Sequence, residues 1–221
     1  MPMKEEVCAR IRKTGLLPSI RVSSADDALF AAEEVVQCGI TVVELTMTVP
    51  HAVDVISELV RTTPELIVGA GTVLDLQTAK KCVDAGAGFV TSPGFNAAIT
   101  EFVVAQDVAS IPGAFTPSEI MAASDSGADI VKVFPCSAAG GPAYIKALTA
   151  PFPHLPLIAS GGVDQMNASG YIRAGAVALG VGAELIPPTA VQLHDRNWIR
   201  ELAGRFISIV QRARAETVQT R

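Results

Sequence analysis

Short apolar runs that end in small or polar residues recur eight times along the chain, and each is followed by a longer stretch of helical periodicity. The strand candidates are 16–22 (LLPSIRV), 40–46 (ITVVELT), 66–71 (LIVGAG), 88–92 (GFVTS), 108–113 (VASIPG), 129–135 (DIVKVFP), 155–160 (LPLIAS) and 176–181 (AVALGV). Helix candidates fall near 25–38, 51–63, 76–86, 96–106, 117–127, 142–150, 165–174 and 195–215, with a leading helix at 4–13. Strands alternating with helices of this length imply βα units and a parallel sheet. Gly15, Gly39, Gly86, Gly127 and Gly175 each stand between a helical stretch and the next strand, the place where a left-handed residue ends a helix at least cost. Eight units favour closure into an α/β fold of the (β/α)8 TIM-barrel type with an N-terminal helix. No linker-like break interrupts residues 1–221, so a single domain is expected. A dinucleotide-binding open sheet fits poorly, because the turn after the first strand, SSADDA, has no glycine to let such a ligand approach.

With 221 residues, a chain of this kind can bury roughly 70% of its unfolded surface. Hydrophobic residues make up 49% and charged residues 18%, which suits a globular enzyme. The net charge is only -5 and no run of Lys and Arg is present, so nucleic acid and anionic membranes are poor partners. The N-terminus is charged and lacks an apolar signal core. Cys8, Cys38, Cys82 and Cys136 form no CxxC pair and read as reduced thiols of a cytoplasmic protein.

A barrel of this type carries its chemistry at the C-terminal ends of the strands. In 129–135 the two-residue period puts Ile130, Lys132 and Phe134 on one face. Lysine among aliphatic residues is rarely buried without a partner or a task. One reading is a nucleophile that desolvation favours in its neutral form, as Schiff-base chemistry requires; the other is a lysine reaching to the mouth or paired for structure. Lys4, Lys13, Lys80, Lys81 and Lys146 all fall on helical stretches. Glu44 is a second charge inside an apolar strand, sharing a face with Thr46. A Lys and a Glu meeting in the lumen supply a nucleophile and a proton shuttle, or else a buried ion pair, which stabilises a fold weakly. Thr72, after the small residues of GAG, can donate to a carboxylate, or simply close a tight turn. Ser160, Gly161 and Gly162, followed by a helix expected to start near Asp164, offer N–H groups for an anion, with Gly182 beside them. His51, His154 and His194 are scattered, so neither a metal site nor another cofactor is expected.

The ordered set Glu44-Leu45-Thr46, GAGTV (69–73), SPG (92–94), PGAFTPSE (112–119), KVFP (132–135), GGPAYIKAL (140–148) and SGG (160–162) resembles the 2-keto-3-deoxy-6-phosphogluconate and 4-hydroxy-2-oxoglutarate aldolase family, over about Leu16 to Leu185. That resemblance implies a homotrimeric lyase with a Schiff-base lysine at Lys132 and a general acid/base at Glu44. It also implies pyruvate-carboxylate binding by Thr72, an aromatic contact to substrate from Phe134, and a phosphate loop at Gly161 and Gly162. Three departures stand out. Thr48 occupies the place of a frequent arginine, for which Arg21 is a substitute from another strand; the hydroxyl before Gly161 is Ser160 instead of threonine; and Ala183 stands where serine is common.

The expected function is reversible cleavage of 2-keto-3-deoxy-6-phosphogluconate, 4-hydroxy-2-oxoglutarate or both, giving pyruvate and glyceraldehyde 3-phosphate or glyoxylate. The galactonate epimer is an alternative substrate. The alternatives of a different class are a phosphosugar isomerase or epimerase using Glu44 as base, and a non-catalytic anion-binding barrel, since a fold alone does not define a function.

Overall fold

The computed structural model describes residues 2–219. Helix α1 (Lys4–Thr14) precedes nine strands: β1 (Leu16–Ile20), β2 (Val42–Thr46), β3 (Ile67–Gly71), β4 (Phe89–Thr91), β5 (Ala109–Ile111), β6 (Gly113–Ala114), β7 (Val131–Val133), β8 (Leu157–Ser160) and β9 (Ala178–Val181). The helices between and after them are α2 (Ala25–Gln37), α3 (Ala52–Thr62), α4 (Leu76–Asp84), α5 (Ala97–Ala105), α6 (Pro117–Asp125), α7 (Pro142–Thr149), α8 (Ala168–Arg173), α9 (Pro188–Gln192) and α10 (Arg196–Gln219). Every strand pairing is parallel, in the order β5-β4-β3-β2-β1-β9-β8-β7-β6.

The fifth apolar run, expected as one strand over 108–113, is two. Pro112 has no N–H to give to the ladder and interrupts it. Its first half, β5, pairs with β4, and its second half, β6, pairs with β7, so the two ends of the sheet meet at this proline. Backbone bonds cross the join: Asp129 and Ile130 donate to the Ser110 carbonyl and Lys132 to the Pro112 carbonyl. The result is a (β/α)8-type barrel whose fifth strand is broken. The five glycines expected to end helices all have left-handed φ, between 69° and 107°. Helix α9 was not anticipated, and α8 starts at Ala168 instead of near Asp164. The cause lies in side chains: Asp164 Oδ1 accepts from the N–H groups of Met166 and Asn167, and Asn167 Oδ1 accepts from the N–H of Asp164. This Asx turn holds 164–167 out of the helix.

Apolar residues pack in two separate cores. The larger lies between the sheet and its helices. The smaller fills the lower barrel with Leu17, Val42, Ile67, Phe89, Ala109, Ile111, Ile130, Ile158 and Ala178, and is closed from below by Val7 and Ile11 of α1. Arg214 of α10 secures that plug by donating to the carbonyls of Arg12 and Lys13, at the end of α1, and of Val177. Glu34 of α2 is fully buried and pairs with Arg196 and Arg200 of α10, tying the last helix to an early one.

Phe89 is the largest side chain of the inner core, and a methyl group on Gly69 would stand 2.2 Å from its ring. Truncation would leave a cavity under the polar layer. Phe89→Ala is therefore expected to lower unfolding free energy by about 3–5 kcal/mol in urea titration; a loss under about 1 kcal/mol would show that the inner core repacks.

Candidate active site

Two residues beyond seven members of the apolar floor, the period of the strand brings up the next inward position. Leu17 leads to Ser19, Val42 to Glu44, Ile67 to Gly69, Phe89 to Thr91, Ile130 to Lys132, Ile158 to Ser160 and Ala178 to Gly180. The barrel is thus apolar below and polar above, with the change falling between adjacent layers.

At the centre of the polar layer, Lys132 Nζ lies 3.0 Å from Glu44 Oε2 and 3.3 Å from Oε1. Lys132 is 6% exposed and Glu44 1%. Two hydroxyls complete the carboxylate's surroundings: Thr91 donates to Oε2 at 2.9 Å and Ser19 to Oε1 at 3.2 Å. Burial by itself pushes the Glu44 carboxyl upward; the Lys132 charge and the hydrogen bonds from Lys132, Thr91 and Ser19 outweigh it and hold the group below the ordinary carboxylate value. Gly71 is required for this arrangement, because a methyl group there would sit 2.3 Å from Glu44 Cγ and 2.4 Å from Oε1. Phe134 follows on the same face as Lys132, with its ring centroid 5.9 Å from Nζ.

A second cluster lies at the rim. Arg21, directly after β1, donates to Thr48 Oγ1 at 3.0 Å and to Thr72 Oγ1 at 3.1 Å. Thr48 in turn is 2.8 Å from Thr46 Oγ1, which donates to the Ile20 carbonyl. Thr72 has φ 59°, a left-handed conformation that costs a β-branched residue roughly 1–3 kcal/mol. Strain of that kind persists where neighbours impose it, and here it holds the hydroxyl beside the guanidinium. A guanidinium from the end of β1 is thus held in contact with both Thr48 and Thr72.

On the opposite side of the mouth, Ser160 is nearly buried, and a methyl group on Gly180 would collide with its Oγ at 2.6 Å. Gly161 and Gly162 take left-handed φ of 86° and 77° and pack on the turn from Phe134 to Ser137. Gly182 begins the adjacent loop after β9. The helix dipole expected directly behind Gly162 is absent, since the first N–H groups after the loop are taken by Asp164. Ser19 and Thr91 were not among the residues singled out from sequence, although the period that selects Glu44 and Lys132 selects them too. Among the described residues, no cluster of three or more His, Cys, Asp or Glu side chains is placed to hold a metal ion.

A family model described as KDPG and KHG aldolase matches residues 7–202. A 2-dehydro-3-deoxy-phosphogluconate aldolase of Pseudomonas aeruginosa is 34% identical over 203 residues, covering 90% of this chain and 92% of that protein. A KHG/KDPG aldolase of Escherichia coli is 34% identical over 192 residues, covering 87% and 90%. Among solved structures, KDPG aldolase from Legionella pneumophila, with pyruvate captured as a covalent carbinolamine, superposes with a TM-score of 0.82 at 30% identity, covering 87% of this chain and 94% of that one.

A lowered Glu44 pKa makes stability depend on pH. Its contribution is complete above the ordinary value of 4.5 and is lost as pH falls through the lower value of the folded state. Glu44→Gln removes that dependence and leaves the Lys132 charge unpaired. The gap in melting temperature between wild type and Glu44→Gln should therefore be widest near neutral pH and narrow below pH 4.5; a gap that widens on acidification would reverse the assigned sign.

Proposed function

The chain belongs to the KDPG and KHG aldolase family, and from that premise we propose that it is a class I aldolase cleaving 4-hydroxy-2-keto acids to pyruvate and an aldehyde through a Schiff base on Lys132. The observation that carries this reading is the contact of Lys132 Nζ with Glu44, 3.0 Å apart above an apolar floor. A proton passing from Nζ to the carboxylate leaves an amine able to attack the C2 carbonyl. Glu44 then returns that proton to the departing hydroxyl as the carbinolamine collapses to the iminium. The iminium draws electrons from the C3–C4 bond while Glu44 takes the C4 hydroxyl proton. An aldehyde leaves, and the remaining enamine is protonated at C3 and hydrolysed to pyruvate and free Lys132. No metal or other cofactor enters this cycle, because the iminium is the electron sink.

The Legionella relative holds pyruvate as a covalent carbinolamine, which supports the same first step here. Arg21 and Thr72 form the pyruvate-carboxylate site, a guanidinium and a hydroxyl 3.1 Å apart at the mouth. Phe134 covers the substrate beside the nucleophile. Ser160, Gly161, Gly162 and Gly182 surround its distal end, for which the relatives' names suggest a phosphorylated six-carbon acid or 4-hydroxy-2-oxoglutarate. The reading includes a homotrimer in the cytoplasm: the four cysteines are free thiols, and Leu74, Met121, Leu193 and Trp198 leave apolar surface exposed on the single chain.

Borohydride reduction in the presence of pyruvate should add a pyruvate-sized mass to Lys132 and abolish activity, and Lys132→Ala should be folded, unmodified and inactive. Modification at another lysine, or full activity in Lys132→Ala, would overturn the Schiff-base assignment. Replacing Glu44 by Gln should slow turnover by about 10²–10⁴-fold; a change under about twofold would leave Glu44 a structural role only.

A further inference from the structure

The loops that surround the distal end of the proposed substrate hold no cationic side chain. Residues 133–141, 160–167 and 180–187 contain neither Lys nor Arg, and their charged members, Asp164 and Glu184, are acidic. An anion bound here must be recognised by neutral donors. Ala183 offers no side-chain donor, and the Ser160 hydroxyl is nearly buried against Gly180.

One hydroxyl stands elsewhere. After Lys132, the chain turns back over the glycine loop: Cys136 N–H donates to the Ser160 carbonyl at 2.8 Å and Ser137 N–H to the Gly161 carbonyl at 3.1 Å. This docking places Ser137 over Gly162, where a methyl group would lie 2.0 Å from Ser137 Oγ and 2.6 Å from its Cβ. Gly162 therefore has to be glycine both for its left-handed φ and because Ser137 occupies the space of a side chain. The serine is exposed. Among the described residues, its hydroxyl and the Gly162 N–H have no protein hydrogen-bond partner. The Gly162 carbonyl is drawn away by Asn167 Nδ2 at 2.9 Å, and Asn167 is itself fixed by Asp164. The loop thus turns its acceptor toward Asn167 and leaves the N–H of the residue that packs on Ser137 without a protein partner.

Resting on the aldolase reading, we propose that Ser137 is a specificity-determining residue, whose hydroxyl donates to the distal phosphate of the substrate together with the Gly162 N–H. Hydrogen bonds to charged groups are among the stronger ones, and no cation is present to mask the loss of this one. Asn167 is the positioning residue that keeps the Gly162 donor available.

The experiment compares wild type and Ser137→Ala on a 6-phosphorylated 2-keto-3-deoxy acid and on the same acid without its phosphate, with inhibition by inorganic phosphate measured alongside. The variant should lose about tenfold or more in kcat/KM for the phosphorylated acid, chiefly through KM, with less than about twofold change for the unphosphorylated one. Phosphate inhibition should weaken in parallel, and pyruvate trapping by borohydride should be unchanged. Equal loss on both substrates would make Ser137 a packing residue, and unchanged discrimination would remove it from the site; either result overturns the inference while leaving the aldolase reading intact. Absence of pyruvate trapping in the wild type would overturn that reading and this inference with it.

Discussion

A lysine and a glutamate share the interior of this barrel at hydrogen-bond distance, and much of the surrounding structure can be understood as what that pair requires. Taking two charges out of water costs several kcal/mol per ion, offset only when geometry is good and the remaining lone pairs are satisfied. Here Glu44 receives Lys132, Thr91 and Ser19. Gly71 leaves the volume the carboxylate occupies, and Gly69 leaves the volume of the Phe89 ring below it. An apolar pair of the same size would stabilise the barrel at least as well. That a costly arrangement is built with two accessory hydroxyls and two clearances argues for a task beyond holding the fold together.

The pair also depends on the barrel being closed. Lys132 comes from β7 and Glu44 from β2, on opposite sides of the sheet order, so they meet only because the ends of the sheet join. That join falls at Pro112, whose carbonyl accepts from the Lys132 N–H. The broken strand therefore fixes the backbone of Lys132 as well as completing the barrel. Below, the floor and α1 shut out water from one side, so the pair opens toward the loops alone.

What could be read in the sequence was whatever rests on local period. A charge flanked by aliphatic residues on a short strand is a conspicuous anomaly, and Lys132 and Glu44 emerged from it directly. Ser19 and Thr91 have the same spacing but little contrast with their neighbours, and nothing local marks a hydroxyl as a partner for a carboxylate on the next strand, as for Ser19, or two strands away, as for Thr91. The Pro112 break and the late start of α8 have local causes, a missing N–H and an Asp–Asn turn, that apolar patterning does not register. Arg21 could be suspected from the absence of arginine at position 48. Its joint contact with Thr48 and Thr72 depends on the ends of three adjacent strands, which only the folded barrel brings together.

The two ends of the proposed substrate meet different physics. At the pyruvate end, a guanidinium held by two threonines, one of them strained into a left-handed conformation, presents a charged and preorganised contact. Preorganisation of this kind suits a group that every substrate of the class shares. At the distal end, the contacts come from glycine backbone and neutral hydroxyls on loops that carry acidic charge. Such donors recognise an anion without a countercharge, so each hydroxyl carries a larger share of the preference. Binding energy collected there can still lower the barrier to C3–C4 cleavage, but only if it is realised as the bond breaks and not merely on association. On the proposed reading, chemistry and pyruvate recognition therefore fall to strands β1, β2, β3, β4 and β7, while the choice of aldehyde falls to the loops after β7, β8 and β9, away from the ion pair and the inner core.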